Sequence, residues 1–205
     1  MLKENPKYKG HWRRFIIFTC IVGLIVGIFS VISDNIQYLD DGITVLEFVI
    51  SYLAVMLNSL PVWFILAMLV GYIFAKDIKN AVLLGAIYTI TAITFYFVIG
   101  HFYEDVSPIT ISFKEQAIAY MTWYVASTIG GILGGGVGFL IKKTPYALLS
   151  LLIGLILQLF VNGVNSWRGI VGISQNVTFC LMIVSIVIYL VVVRFKKTRR
   201  TDVVM

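Results

Sequence analysis

The sequence predicts an all-α polytopic membrane bundle of six transmembrane helices, with both termini cytoplasmic and the second span broken near Pro61. Three observations predict it. Of the 205 residues, 60% are hydrophobic and 13% charged, about half the charged share of an ordinary soluble domain. The mean hydropathy is +0.95, and the roughly 120 apolar residues match the need of six spans of ~20 residues each. The charges, finally, are segregated between alternate gaps of the apolar runs. With the N-terminus inside, the cytoplasmic segments hold fourteen of the sixteen Lys and Arg, leaving only Lys114 and Arg168 outside. Asp34, Asp40, Asp41, Glu47, Glu104, Asp105 and Glu115 also fall outside. That asymmetry is the positive-inside rule.

Apolar runs at 15–33, 43–75, 81–102, 117–141, 146–167 and 170–193 define the spans. Together they make one membrane domain, 15–193, between a basic N-terminal tail (1–14) and a basic C-terminal tail (194–205). Helices satisfy every backbone group within a single span, and these runs lack the alternation of barrel strands. The first run, at about 19 residues, exceeds the 7–15 of a signal-peptide core, so it reads as an uncleaved span. Its Gly23 and Gly27 form a small-xxx-small pair, the spacing that lets helices approach closely in lipid.

In the second run, Asn58-Ser59-Leu60-Pro61 interrupts the apolar pattern. Pro61 lacks the N–H that Leu57 would accept, and its ring crowds that turn. Asn58 or Ser59 is placed to cap a new helix with Pro61 in its first turn. Residues 61–75 reach only ~22 Å at 1.5 Å per residue, so the break belongs at outer-leaflet depth. A kink in one tilted helix and a pair of half-helices both fit.

The fourth run carries a seam of Tyr120, Tyr124, Ser127, Gly131, Gly134 and Gly138, at alternating steps of four and three. Its inner half contains overlapping pairs at Gly130/Gly134, Gly131/Gly135 and Gly134/Gly138, which predict close helix packing. In the fifth run, Gln158, Asn162 and Asn165 share one face, ending near Arg168, and Gln175 and Asn176 open the sixth at the same depth. Amides facing lipid are costly, so they point into the bundle or a wet cavity.

A soluble enzyme, a nucleic-acid-binding module and a disulfide-stapled domain are excluded by this composition. The basic tails attract anionic headgroups of the cytoplasmic leaflet. Cys20 and Cys180 lie within spans, no ligand spacing for a metal is present, and no cofactor fingerprint or catalytic motif occurs. His101, Tyr103, Glu104 and Asp105, with Asp40 and Asp41, read as solvated acidic loops rather than a metal site.

The stretch Asn58-Ser59…Val62-Trp63…Gly71, followed by the glycine-rich fourth span, resembles a family of small bacterial six-span membrane proteins, a domain of unknown function. That resemblance implies a multi-pass protein of the bacterial cytoplasmic membrane and carries no activity with it. In size, six spans and basic cytoplasmic ends the chain is also similar to the substrate-binding subunits of energy-coupling-factor transporters. In those an Ala-xxx-Ala pattern packs the first helix, and Gly23 and Gly27 stand near that role.

Two functions from different classes fit. One is a binding or transport component for a small uncharged or zwitterionic molecule, with an outward-facing pocket of Asn58, Trp63, Tyr120, Tyr124, Gln158, Asn162, Asn165 and Arg168. Such a component would work with a partner membrane subunit or as a passive facilitator. The other is a non-catalytic membrane partner, an immunity, assembly or structural protein, whose polar residues only bind helices together.

Overall fold

The structure, a computed structural model, describes residues 6–36, 44–103 and 112–202. Asp40, Asp41, Glu104 and Asp105 of the expected acidic loops lie outside the described residues. Seven α-helices occur among those described: α1 (Pro6–Asn35), α2 (Val45–Leu57), α3 (Leu60–Phe74), α4 (Ile78–Tyr103), α5 (Phe113–Ile141), α6 (Leu149–Asn162) and α7 (Ile170–Asp202). Short 3-10 turns, Pro145–Leu148 and Val164–Trp167, flank α6. Trp12–Asn35, Ile78–Phe102, Phe113–Ile141, Pro145–Asn162 and Ile170–Lys196 are each long and apolar enough to cross a membrane. The pair α2 and α3 supplies a sixth crossing if the two count as one span.

That pair is broken rather than kinked, with 64° between its halves. Asn58 closes α2, and Ser59 is the N-cap of α3, with Pro61 in the first turn where a missing N–H costs nothing. Ser59 does not cap with its side chain: its Oγ donates backwards to the Met56 carbonyl at 2.6 Å. The Ser59 N–H, which a continuous helix would give to Val55, goes to Met56 as well, at 3.1 Å. The Val55 carbonyl set free by the break accepts from Gln175 Nε2 at 3.2 Å, so α7 satisfies what the break leaves open. Asn58 Nδ2 donates to Asp34 Oδ1 at 2.9 Å, which sets the break level with the end of α1.

Sequence caps explain where two helices begin. Thr44 with Glu47 opens α2 and Ser112 with Glu115 opens α5, each as a reciprocal capping box. At the opposite end of the bundle, Lys142 Nζ donates to the Ala75 carbonyl at 2.8 Å, a cation on the C-terminus of α3.

Packing divides the bundle in two about α3. On one side α5 lies in the groove between α3 and α4. A Cβ on Gly131 would strike Thr89 Oγ1 and the Gly85 backbone, and one on Gly135 the Ala81 carbonyl. On Gly134 it would meet Ala67 Cβ at 2.7 Å, and on Gly138 the Met68 carbonyl. The glycines thus form two faces of α5, one for each neighbour. Gly23 and Gly27 serve a different contact, packing α1 against Ala92, Phe95 and Tyr96 of α4 rather than against α5. A Cβ on Gly130 would meet nothing within 4 Å, so that direction faces no neighbouring helix. On the other side, Met68, Leu151, Leu155 and Phe179 form the core that joins α3, α6 and α7. Of the five helices long and apolar enough to cross, α6 is the least enclosed, with 11% of its span buried. It leans on α3 and α7 rather than on α5.

Candidate functional site

Two cavities follow from that arrangement. The first, about 330 Å³, lies where α6 stands away from α5, with α3 as its floor. Leu60, Pro61, Trp63 and Phe64 come from α3, Trp123, Ala126, Ser127 and Gly130 from α5, and Leu151, Gly154, Leu157, Gln158 and Val161 from α6. Thr89 of α4 completes the wall. Its lining is apolar and aromatic, with Gln158, Ser127 and Thr89 as the polar exceptions. Gly130 and Gly154 leave open space because no neighbour approaches their Cβ positions.

The second cavity, about 730 Å³, lies at the end of the bundle where α1 finishes and α7 starts. Ser33, Asp34 and Ile36 form one wall, Val55 and Gln175 another, and the turn between α6 and α7 the third. That turn exists because Gly163 and Gly169 take positive φ, 63° and 78°, which glycine adopts without strain. It folds back tightly enough that a Cβ on Gly172 would strike the Ser166 carbonyl. Asn162, Asn165, Ser166 and Arg168 are thereby presented to the cavity together with the first turn of α7, Ile170 to Gly172. Helix N-termini carry free N–H groups and positive potential.

A chain of amides separates the two spaces. Gln158 Nε2 donates to Asn162 Oδ1 at 2.7 Å, and Asn162 Nδ2 donates to Asn176 Oδ1 at 2.9 Å. Asn176 Nδ2 in turn donates to Ser166 Oγ at 2.8 Å, and Ser166 Oγ to the Gly163 carbonyl at 2.8 Å. Asn176 is fully buried. One amide of the chain, Gln158, faces the apolar cavity and the next, Asn162, faces the polar one.

The eight residues expected to form one pocket are therefore spread over four places. Trp63 and Gln158 line the apolar cavity. Asn162, Asn165 and Arg168 line the polar one. Asn58 is engaged with Asp34. Tyr120 and Tyr124, on α5, pack against α4: Tyr124 shares a 3.0 Å hydrogen bond with Thr94, and both rings pack on Phe97. Tyr120 also accepts from Gln116 at 3.1 Å.

Asp34 is the residue that sequence reasoning placed in a loop and left out of the pocket. Its carboxylate accepts from Asn58 and, at 2.6 Å, from the Tyr96 hydroxyl, and it lines the polar cavity. Helical spacing held the signal, because Asp34 follows the buried positions Thr19, Val26 and Ser30 on one stripe of α1. The arrangement presents an anion, a cation and amides to one space of ligand-binding size. No family model, curated protein or solved structure matches this chain.

Proposed function

We propose that the protein is a membrane-embedded binding or transport component for a small zwitterionic molecule held in the polar cavity at the Asp34 end. The observation that carries this reading is that Asp34 and Arg168 both line one cavity of about 730 Å³, whose lining also includes Asn162, Asn165 and Gln175. Asp34 keeps acceptor capacity beyond Asn58 and Tyr96, since a carboxylate has about four lone-pair sites. Arg168 makes no side-chain hydrogen bond among the described residues, so its guanidinium is available to an anionic group. The binding role involves no bond-making step.

The charge pattern supports an outward-facing cavity in a cell membrane. Lys76, Lys79, Lys142 and Lys143 gather at one end of the bundle, while Asp34, Glu47 and Glu115 mark the other. The expected resemblance in size and basic ends to substrate-binding subunits of energy-coupling-factor transporters would suit a component that works with a separate partner subunit.

The test is a thermal-shift screen of purified protein against zwitterionic metabolites. Ligand at 100 times its Kd adds about 2.7 kcal/mol, and Asp34→Asn or Arg168→Gln should each remove most of the shift. A ligand whose shift survives both substitutions would place the site elsewhere. A second reading, a non-catalytic partner protein, is favoured by the amide chain, in which Asn162 and Asn176 spend their hydrogen bonds joining α6 to α7. Under that reading no small molecule shifts the transition.

A further inference from the structure

The two cavities share two walls. On α6, Gln158 faces the apolar space and Asn162, one turn on, faces the polar space, with a single 2.7 Å hydrogen bond between them. At the break between α2 and α3, Val55 belongs to the polar cavity and Leu60 and Pro61 to the apolar one. A charged, hydrogen-bonding space is thus stacked end to end on a greasy one.

The depths match those of a lipid. From Val161 down to Leu151 the apolar cavity follows α6 for ten steps, ~15 Å at 1.5 Å per residue. Half of a ~30 Å hydrocarbon core is ~15 Å. The polar cavity sits above, at the end of α1, where headgroups lie. Side access from the bilayer is open, because α6 stands away from α5 and exposes Leu157 and Val161 of the cavity wall, Val161 by 75%.

Resting on the zwitterion reading above, the geometry points to one composite site for a phospholipid with a primary-ammonium, zwitterionic headgroup. The ammonium pairs with Asp34, the phosphate with Arg168, and an acyl chain occupies the space between α5 and α6. The headgroup chemistry follows from the lining. A quaternary ammonium is recognised by aromatic cages, and no aromatic side chain lines the polar cavity among the described residues. Carboxylate, hydroxyl and amide oxygens instead suit a cation with N–H groups to donate. An ethanolamine headgroup is therefore preferred to choline.

Delipidated full-length protein in detergent is titrated with dioleoyl phosphatidylethanolamine, dioleoyl phosphatidylcholine and the water-soluble headgroup analogue glycerophosphoethanolamine, with bound ligand counted by native mass spectrometry. The ethanolamine lipid should bind at least tenfold tighter than either of the others, and Asp34→Asn should erase its advantage over choline. Gly154→Leu places a side chain in the apolar cavity, where its Cβ meets nothing within 4 Å. It should weaken the lipid at least tenfold and leave the soluble analogue unchanged, and Gly130→Leu gives an independent repeat should Gly154→Leu fail to remain monodisperse. If the analogue binds in an Asp34-dependent way but the lipid binds no tighter, or both glycine variants leave it unaffected, the composite site is wrong and the zwitterion pocket stands. If neither ethanolamine compound binds, the composite site is also overturned, and the zwitterion pocket is then judged by the metabolite screen. Equal binding of both lipids, unaffected by Asp34→Asn, overturns the headgroup assignment.

Discussion

Asn176 has no solvent exposure, yet its amide is used at both ends, accepting from Asn162 and donating to Ser166. Replacing it with leucine strands those partners in the bundle interior. Removing one member of a buried hydrogen bond costs roughly 1–3 kcal/mol in water-soluble proteins, and interhelical bonds in membranes average ~0.6 with a maximum near 1.7. Asn176→Leu should therefore lower unfolding free energy by about 1–2 kcal/mol in detergent. Asn165→Ala, whose side chain makes no hydrogen bond among the described residues, should change it by less than about 0.5. Equal losses would show that the amide chain is not the fastening between α6 and α7. Tyr88 is the opposite case. It is fully buried, and its hydroxyl finds no partner among the described residues. Deleting an unsatisfied polar group removes its desolvation cost, so Tyr88→Phe should leave stability unchanged or raise it by about 1 kcal/mol. A loss of that size would mean that the hydroxyl is bonded in the folded protein.

At the scale of the helix, α5 is built for two neighbours at once, and its glycines are not equivalent. Gly135 and Gly138 face backbone carbonyls of α4 and α3, which cannot swing aside as a flexible side chain can. Gly138→Ala should separate α5 from α3, at a cost of about 1–3 kcal/mol or more, the usual range for overpacking. Gly130 and Gly154 face open space. There, Gly→Ala should stabilise by about 0.5–1 kcal/mol through helix propensity. Thermal unfolding of the four alanine variants checks the division; one uniform effect would contradict it. The seam of small residues was readable from the sequence because a spacing of three and four fixes one face of a helix. The partner of each glycine was not, because periodicity gives a direction around the helix axis and says nothing of what stands there. For the same reason Gly130 looked like a packing residue, and the sequence named no partner for Gly23 and Gly27.

For the molecule as a whole, apolar composition dictates the outline, which is why apolar runs located the candidate spans to within about five residues, although α1 and α7 each extend nine residues beyond theirs. Pro61 located the break, since a residue without an N–H cannot continue the ladder. Less legible was the division of the polar residues into two spaces. Tyr120, Tyr124, Gln158 and Asn162 share a chemistry and a depth, but whether each meets a helix or a void depends on how far α6 stands from α5, which no local pattern records. Sidedness yields to direct labelling. In a background of Cys20→Ser and Cys180→Ser, an impermeant maleimide added to intact cells should label Val164→Cys, in the turn between α6 and α7. It should reach Lys143→Cys only after lysis. The reverse pattern would invert the protein and close the polar cavity to the exterior.

The interruption at Asn58 and Ser59 also bears on how the chain is made. Thirteen residues of α2 extend ~20 Å and fifteen of α3 ~22 Å, so each alone falls short of a ~30 Å core. Neither half is a stable unit for the insertion machinery to release into the bilayer. In a nascent polypeptide halted just past Leu57, the α2 segment should stay unintegrated although α1 is long enough to span, and integration of the α2–α3 pair should begin only when Phe74 has left the ribosome.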